Sequence, residues 1–262
     1  MCRLITGRVA KVRTENEIVR SIYIRPLKKI PEPKPGQFFM VWVPGYEEVP
    51  MSVSGYDQGV IRISVAKVGE TTERLHRIRV GEYLGLKGPL GNGLMVEDKR
   101  YLLVGGGYGV APLVYTMKKI HEVGGEVSII IGARTRSLLL FEEEASRYGE
   151  VYIATDDGSK GYRGTAADLA SKILSKSSYD EVVVCGPEPL LVKIATYCMG
   201  HNIACRVFAE EYMKCGLGLC GSCTLGNTPI RLCIEGPVID GELFLSAVKQ
   251  SNHRNRTHRC DI

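Results

Sequence analysis

The chain has 262 residues, of which 44% are hydrophobic and 24% charged, and a formal net charge of +5. This is the make-up of a globular protein with room for two medium domains and a small module, and it excludes a disordered, collagenous or disulfide-dense chain. No run approaches the roughly 18 apolar residues of a membrane-crossing helix, and MCRLITGRVAKVRTENE has neither the apolar core nor the cleavage pattern of a secretory signal, so a cytoplasmic protein without a membrane partner is expected.

Residues 1–97 read as short strands separated by turns. The segment 18–24 (IVRSIYI) is rich in β-branched residues, 37–43 (QFFMVWV) is strongly apolar, and 60–65 (VIRISV) alternates at period two. Turn chemistry falls at 31–36 (PEPKPG), 44–45 (PG) and 55–59 (GYDQG). Many short strands with such punctuation predict an antiparallel barrel. Residues 49–54 (VPMSVS) and 69–72 (GETT) read as hydroxyl-bearing interruptions, and 87–93 (KGPLGNG) as a glycine-rich link. Near a domain crevice such hydroxyls and free amides could hold a phosphate or a flavin ring; turn chemistry alone also accounts for them.

From Lys99 the pattern changes. Strands at 101–104, 126–132, 151–154, 181–185 and 204–209 alternate with helices at 111–123, 138–148, 166–174 and 189–200. That alternation predicts a doubly wound parallel sheet. The first strand runs through Gly105, Gly106, Gly107 and Gly109 into a helix, where amides and dipole together favour a pyrophosphate. The glycines stand closer together than in G-x-G-x-x-G, so a plain tight turn competes. The next strand ends at Arg134 rather than at an acid, which leaves NAD and NADP both open. Cys185, Gly186 and Pro187 form a second turn at a strand's carboxyl end, which also suits a simple helix start.

Nine cysteines in a chain with no secretion signal point to metal use rather than disulfides. Cys215, Cys220, Cys223 and Cys233 follow the C-x4-C-x2-C…C spacing of plant-type [2Fe-2S] ligation. A four-thiolate zinc site, usually built from paired short spacings, is the main alternative; a disulfide framework ranks below it. Gly216, Gly218 and Gly221 fit a loop wrapped around an inorganic core, with amides free to bond sulfur. Cys185, Cys198 and Cys205 read as small core residues, while Cys2 and Cys260 have no ligand spacing. Residues 246–262 carry Lys249, Arg254, Arg256 and Arg259 against Asp261, with no aromatic residue. A disordered tail is expected there, and no nucleic-acid binding.

Together these segments resemble the ferredoxin–NADP reductase superfamily, and the C-terminal cysteine module makes the chain similar to the electron-transfer subunits of type B dihydroorotate dehydrogenase. The most specific stretch is 210–223 (EEYMKCGLGLCGSC) followed by 233–238 (CIEGPV). The resemblance implies an antiparallel flavin-binding barrel (1–97), a doubly wound α/β sheet for NAD (98–209) and a small [2Fe-2S] module (210–245). It implies FAD on Pro50, Met51, Ser52, Val53, Ser64, Val65, Ala66, Gly69, Thr71 and Thr72. NAD would lie on Gly105, Gly106, Gly107, Gly109, Asp157, Cys185, Gly186 and Pro187, with Glu210 near nicotinamide or flavin. Cys215, Cys220, Cys223 and Cys233 would hold the cluster. The implied partner is an FMN-containing catalytic subunit, two of each in a heterotetramer. Electrons from dihydroorotate would pass through the cluster and FAD to NAD+. Val49 stands where the family often has an arginine, which leaves FAD and FMN both open. The rivals are a flavoprotein subunit of a sulfhydrogenase or of a ferredoxin:NADP oxidoreductase, and a zinc-stabilised regulatory module.

Overall fold

The computed structural model describes residues 4–257. Six strands form a closed antiparallel barrel: β1 (Ile5–Thr14), β2 (Val19–Pro26), β3 (Phe38–Trp42), β4 (Val49–Asp57), β5 (Val60–Ala66) and β6 (Tyr83–Leu90). Their order is β1-β2-β5-β4-β3-β6, and β1 closes onto β6 from Ile5 opposite Leu86 to Arg8 opposite Tyr83. Closure leaves no unpaired edge. Helix α1 (Glu70–His76) follows β5.

Strand β3 shows why its sequence is apolar without alternation. Phe39 and Val41 fill the barrel interior, while Phe38 and Met40 point outward and are just as buried, beneath the C-terminal module. A strand covered on both faces needs no polar side. Strand β4 corrects the reading of residues 49–54 as an interruption. Proline and serines disguise it, but Pro50 pairs with Met40 and Val53 with Ile63. The register slips between Val53 and Gly55, a bulge that re-aims the strand at the crevice described below.

The second unit is a seven-stranded sheet: β7 (Arg100–Gly106), β8 (Glu126–Ala133), β9 (Glu150–Thr155), β10 (Tyr162–Arg163), β11 (Glu181–Cys185), β12 (Ala204–Phe208) and β13 (Val238–Asp240). The order β10-β9-β8-β7-β11-β12-β13 is parallel except for β13, so the winding reverses between β7 and β11. Open α/β sheets bind ligands at such a switch point. Helices α2 (Val110–Glu122), α3 (Glu142–Ala145), α4 (Ala166–Leu174), α5 (Glu188–Gly200) and α6 (Gly241–Thr257) accompany it. The helix expected over 138–148 shrinks to four-residue α3, because the chain bends to bury Leu140 and Phe141. The two short edge strands β10 and β13 have no sequence signal of their own.

Beyond Asp240 the chain does not become irregular: α6 runs through residues 246–257, with Phe244, Leu245 and Ala247 packed into the core shared with α5. The helix thus enters the stretch expected to be a disordered tail, where Ala247 is seated in the core. Residues 258–262, and Cys2 and Cys260 among the cysteines, lie outside the described residues. Among the described residues no helix is long and apolar enough to cross a membrane.

Barrel and sheet are joined by a nearly dry ion pair. Arg62 on β5 makes two bonds to Glu144 on α3, at 2.6 and 2.8 Å, and donates to the Ser54 carbonyl; its side chain is 7% exposed. Tyr115 on α2 donates to the Pro33 carbonyl at 2.6 Å across the same seam. Removing one partner of a buried pair leaves the other charge uncompensated. Glu144→Ala is expected to cost about 3 kcal/mol, read as a lower denaturant midpoint. A midpoint equal to wild type would show that the seam does not depend on this pair.

Candidate functional site

A cavity of about 220 Å³ opens where barrel, sheet and C-terminal arm meet. The barrel contributes Phe38, Pro50, Met51, Ser52, Ser64, Ala66, Val68 and Thr72; α2 and its approach contribute Tyr108, Ala111 and Pro112; the arm contributes Ala209, Glu210, Glu211, Met213 and Pro237. Behind this wall the Ser64 hydroxyl pairs with Ser54 at 2.8 Å and with Ser21 at 2.9 Å. An apolar wall with a few polar groups at its edge fits a flat heteroaromatic ring. The lining contains two carboxylates and no basic residue, so it suits the ring of a flavin rather than its phosphates.

Of the expected flavin residues, Pro50, Met51, Ser52, Ser64, Ala66, Thr72 and Glu210 face this cavity; Val53, Val65, Gly69 and Thr71 do not. Val53 and Val65 are fully buried inside the barrel and can offer only backbone. The Thr71 hydroxyl donates to the Glu47 carbonyl, and that of Thr72 donates to the Gly69 carbonyl while accepting the Val68 and Gly69 amides. The Thr72 hydroxyl is thus committed to starting α1, and that of Thr71 ties the helix to the β3–β4 connection. Phe38, Val68, Tyr108, Ala111, Pro112, Ala209, Glu211, Met213 and Pro237 were not legible as wall residues. They come from five separate segments that only the tertiary fold brings together.

A second cavity, about 360 Å³, lies at the carboxyl ends of the parallel strands. It is lined by Gly106, Gly107 and Tyr108 after β7, by Gly132, Ala133 and Arg134 at the end of β8, and by Leu138, Leu140, Asp156, Thr165, Ala166, Pro187 and Leu190. Asn16, Ile18 and Val19 reach it from the β1–β2 hairpin, which is anchored by the Asn16 amide donating to the Leu138 carbonyl at 3.2 Å. Gly105, Gly109, Cys185 and Gly186 lie behind the wall rather than in it. A Cβ on Gly109 would come within 2.7 Å of the Cys185 carbonyl carbon, so only glycine lets the two strand-end turns touch. Cys185 is buried, and burial pushes its thiol well up. Asp157 serves its own turn, accepting the Ser159 amide at 2.9 Å, while Asp156 faces the cavity. Tyr108 lines both cavities.

The four spaced cysteines come together at the end of the arm. Gly216 and Gly218 have φ of +65° and +73°, which bends the loop as an L side chain rarely allows. The Leu217 amide donates to Cys215 Sγ at 3.3 Å, and the Gly218 amide to Cys233 Sγ at 3.2 Å. The short connection from Cys223 to Cys233 is a hairpin: Leu225 donates to the Ile230 carbonyl at 2.8 Å, and Leu232 to the Cys223 carbonyl at 2.9 Å. It sets Cys233 beside Cys223, while Cys220 rests against Cys215. Hydrogen bonds from Ser222, then from Cys215, draw the Cys220 thiol down to about 6. Burial, then Cys223, pushes that of Cys233 up to about 11.

Two pairs of thiols match a binuclear core, in which each iron takes two protein ligands. Among the described residues no group of three or more His, Cys, Asp or Glu side chains has the arrangement of a metal-ion site. Cys223 and Cys233 are buried, while Cys220 is exposed, as are Leu217 and Leu219 just before it in the chain.

A family model described as the iron-sulfur cluster binding domain of dihydroorotate dehydrogenase B matches residues 210–245, and one described as an oxidoreductase NAD-binding domain matches residues 103–196. A relative from Methanocaldococcus jannaschii, named a probable dihydroorotate dehydrogenase B (NAD(+)), electron transfer subunit, is 36% identical over 209 residues, 80% of each chain. A relative of the same name from Thermoplasma volcanium is 38% identical over 254 residues, 95% of each chain. Among solved structures, that of an NADH-dependent reduced ferredoxin-NADP oxidoreductase, described for flavin-based electron bifurcation, superposes with a TM-score of 0.85 at 26% identity, covering 94% of this chain and 93% of that one. The ferredoxin reductase of carbazole 1,9a-dioxygenase shares the fold, with a TM-score of 0.68 at 19% identity over 77% of this chain and 66% of that one. Identity sustained across barrel, sheet and cysteine arm alike means that the chain belongs to the family of dihydroorotate dehydrogenase B electron transfer subunits.

Proposed function

We propose that the chain relays electrons from dihydroorotate, oxidised on the FMN of a separate catalytic subunit, to NAD+. Residues 1–97 would hold FAD, 98–209 the nicotinamide nucleotide and 210–245 a [2Fe-2S] cluster. When bound, the cluster passes single electrons and the flavin interconverts single-electron and hydride transfer. One observation carries the reading: the cysteine arm and the cavity are built into one packed core. Phe38 and Met213 line the cavity and belong to the same packed core as Cys223 and Cys233.

The protein's own residues then divide the work. Ser52, Ser64 and the backbone of β4 and β5 would orient the ring edge, and Met51, Ala111 and Pro112 would exclude water from its face. Gly106, Gly107 and the start of α2 would take the pyrophosphate, with Arg134 and Asp156 beside the adenosine end. Tyr108, at the boundary of the two cavities, would separate ring from nucleotide until the nicotinamide enters. Cys215, Cys220, Cys223 and Cys233 would ligate iron. The exposed surface at Leu217, Leu219 and Cys220 is where the catalytic subunit would dock, two of each chain forming a heterotetramer.

The bifurcating oxidoreductase likeness favours a second reading, a subunit of a ferredoxin:NADP oxidoreductase or sulfhydrogenase. The match of residues 210–245 to the cluster-binding domain of dihydroorotate dehydrogenase B weighs toward the orotate enzyme. Co-purification decides it: an FMN protein that oxidises dihydroorotate is expected, and a different partner would overturn the assignment.

Cys220→Ser is expected to remove cluster iron and acid-labile sulfide and to abolish dihydroorotate-to-NAD+ activity of the complex, while NADH oxidation by an artificial dye persists. Survival of both activities would take the cluster off the path.

Glu210 lines the cavity while remaining open to water, and partial desolvation by the surrounding walls raises its carboxyl above the usual range. A raised value means that the folded state binds the proton more tightly than the unfolded one, so this carboxyl's contribution to stability is full in acid and lost as pH rises through its folded value. Glu210→Gln lacks that loss. Its melting temperature is expected to match wild type below about pH 4 and to exceed it increasingly toward neutrality. A pH-independent difference would refute the shift.

A further inference from the structure

The geometry points to Lys87 and Glu48 as a charge pair that sets the reduction potential of the group held by Cys215, a role that rests on the cluster reading above. Lys87 Nζ lies 2.5 Å from Glu48 Oε2 and 3.4 Å from the carbonyl oxygen of Cys215. The two side chains are 15% and 24% exposed, so water screens them weakly. Lys87 is anchored on β6 opposite Met40 of β3. Met40 in turn packs against Gly216, where an added Cβ would come within 2.7 Å of Met40 Cγ. The ammonium is therefore fixed against the backbone of one ligand residue rather than swinging on a free stem.

Glu48 stands two residues before Pro50 of the flavin cavity, and its neighbour Glu47 accepts the Thr71 hydroxyl. The pair thus spans from the flavin loop to the cysteine loop, with its positive end toward the cysteine. Reduction of the cluster adds one negative charge. A fixed cation nearby favours the reduced form, and a fixed anion opposes it. Because the cation is the member touching Cys215, the pair as a whole favours electron uptake from the partner. Arg231 donates to the Gly218 carbonyl at 2.8 Å, but it is paired with Glu235 at an exposed position. Lys214, next to Cys215 in the chain, is exposed, so Lys87 is the most shielded of the three cations. It touches no reacting atom and acts through Cys215, so it is a positioning residue for the relay.

The test is potentiometric titration of the full-length holoprotein, followed by the cluster's electron paramagnetic resonance signal, with iron and sulfide content measured on each sample. Lys87→Met is expected to lower the midpoint by about tenfold in the reduction equilibrium, 59 mV for one electron. Glu48→Gln is expected to raise it, and the double variant to return toward wild type. Lys87→Arg keeps the charge and is expected to stay near wild type. If Lys87→Met fails to take up a cluster, the sign of the Glu48→Gln shift decides. Full cluster content with unshifted single-variant midpoints, or with both shifts of the same sign, overturns the proposal. Wild-type protein lacking iron and sulfide would instead fail the cluster reading itself.

Discussion

The working parts depend on one contact, the seating of the cysteine arm on the outer face of β3. Met40 and Phe38 present an apolar surface there, and Gly216 comes so close to Met40 that no side chain could intervene. Burial of apolar surface is non-directional and would tolerate many poses; the glycine contact and the Lys87 bond to the Cys215 carbonyl select one. That pose leaves two thiols inside the protein and one at the surface. An electron carrier between two proteins needs this arrangement, with an inner side against its own flavin site and an outer side for a partner.

The second constraint is topological. The sheet reverses direction between β7 and β11, and the two strand-end turns touch through Gly109 and Cys185. A cleft forms where the helices depart to opposite sides, and the barrel is held over it by the Arg62–Glu144 pair and the Tyr115 bond. Buried ion pairs contribute little net stability but are costly to break, so they fix orientation more than they add strength. Tyr108 at the boundary of both cavities follows from that orientation.

Legibility in the sequence followed the reach of each signal. The alternation of strand and helix after Lys99 is local, and it predicted the sheet. Strand β4 was missed because its proline and serines imitate a turn, and pairing to β3 and β5 overrides that local preference. The short α3 escapes a local reading for the same reason, since its extent is decided by what Leu140 and Phe141 find to pack against. Thr71 and Thr72 looked like ligand hydroxyls and prove to be engaged with backbone.

What the sequence determined by itself was the chemistry: four thiols at a spacing that only a tight glycine loop can wrap, and a glycine turn between strand and helix. These are short-range facts, fixed by residue type and separation along the chain. The tertiary structure decided where that chemistry points. The seating of the cysteine arm on β3 and the gathering of two carboxylates and a tyrosine around the crevice join residues as far apart as Phe38 and Pro237. Contacts of that span arise from packing and closure, which leave no periodic mark in the chain.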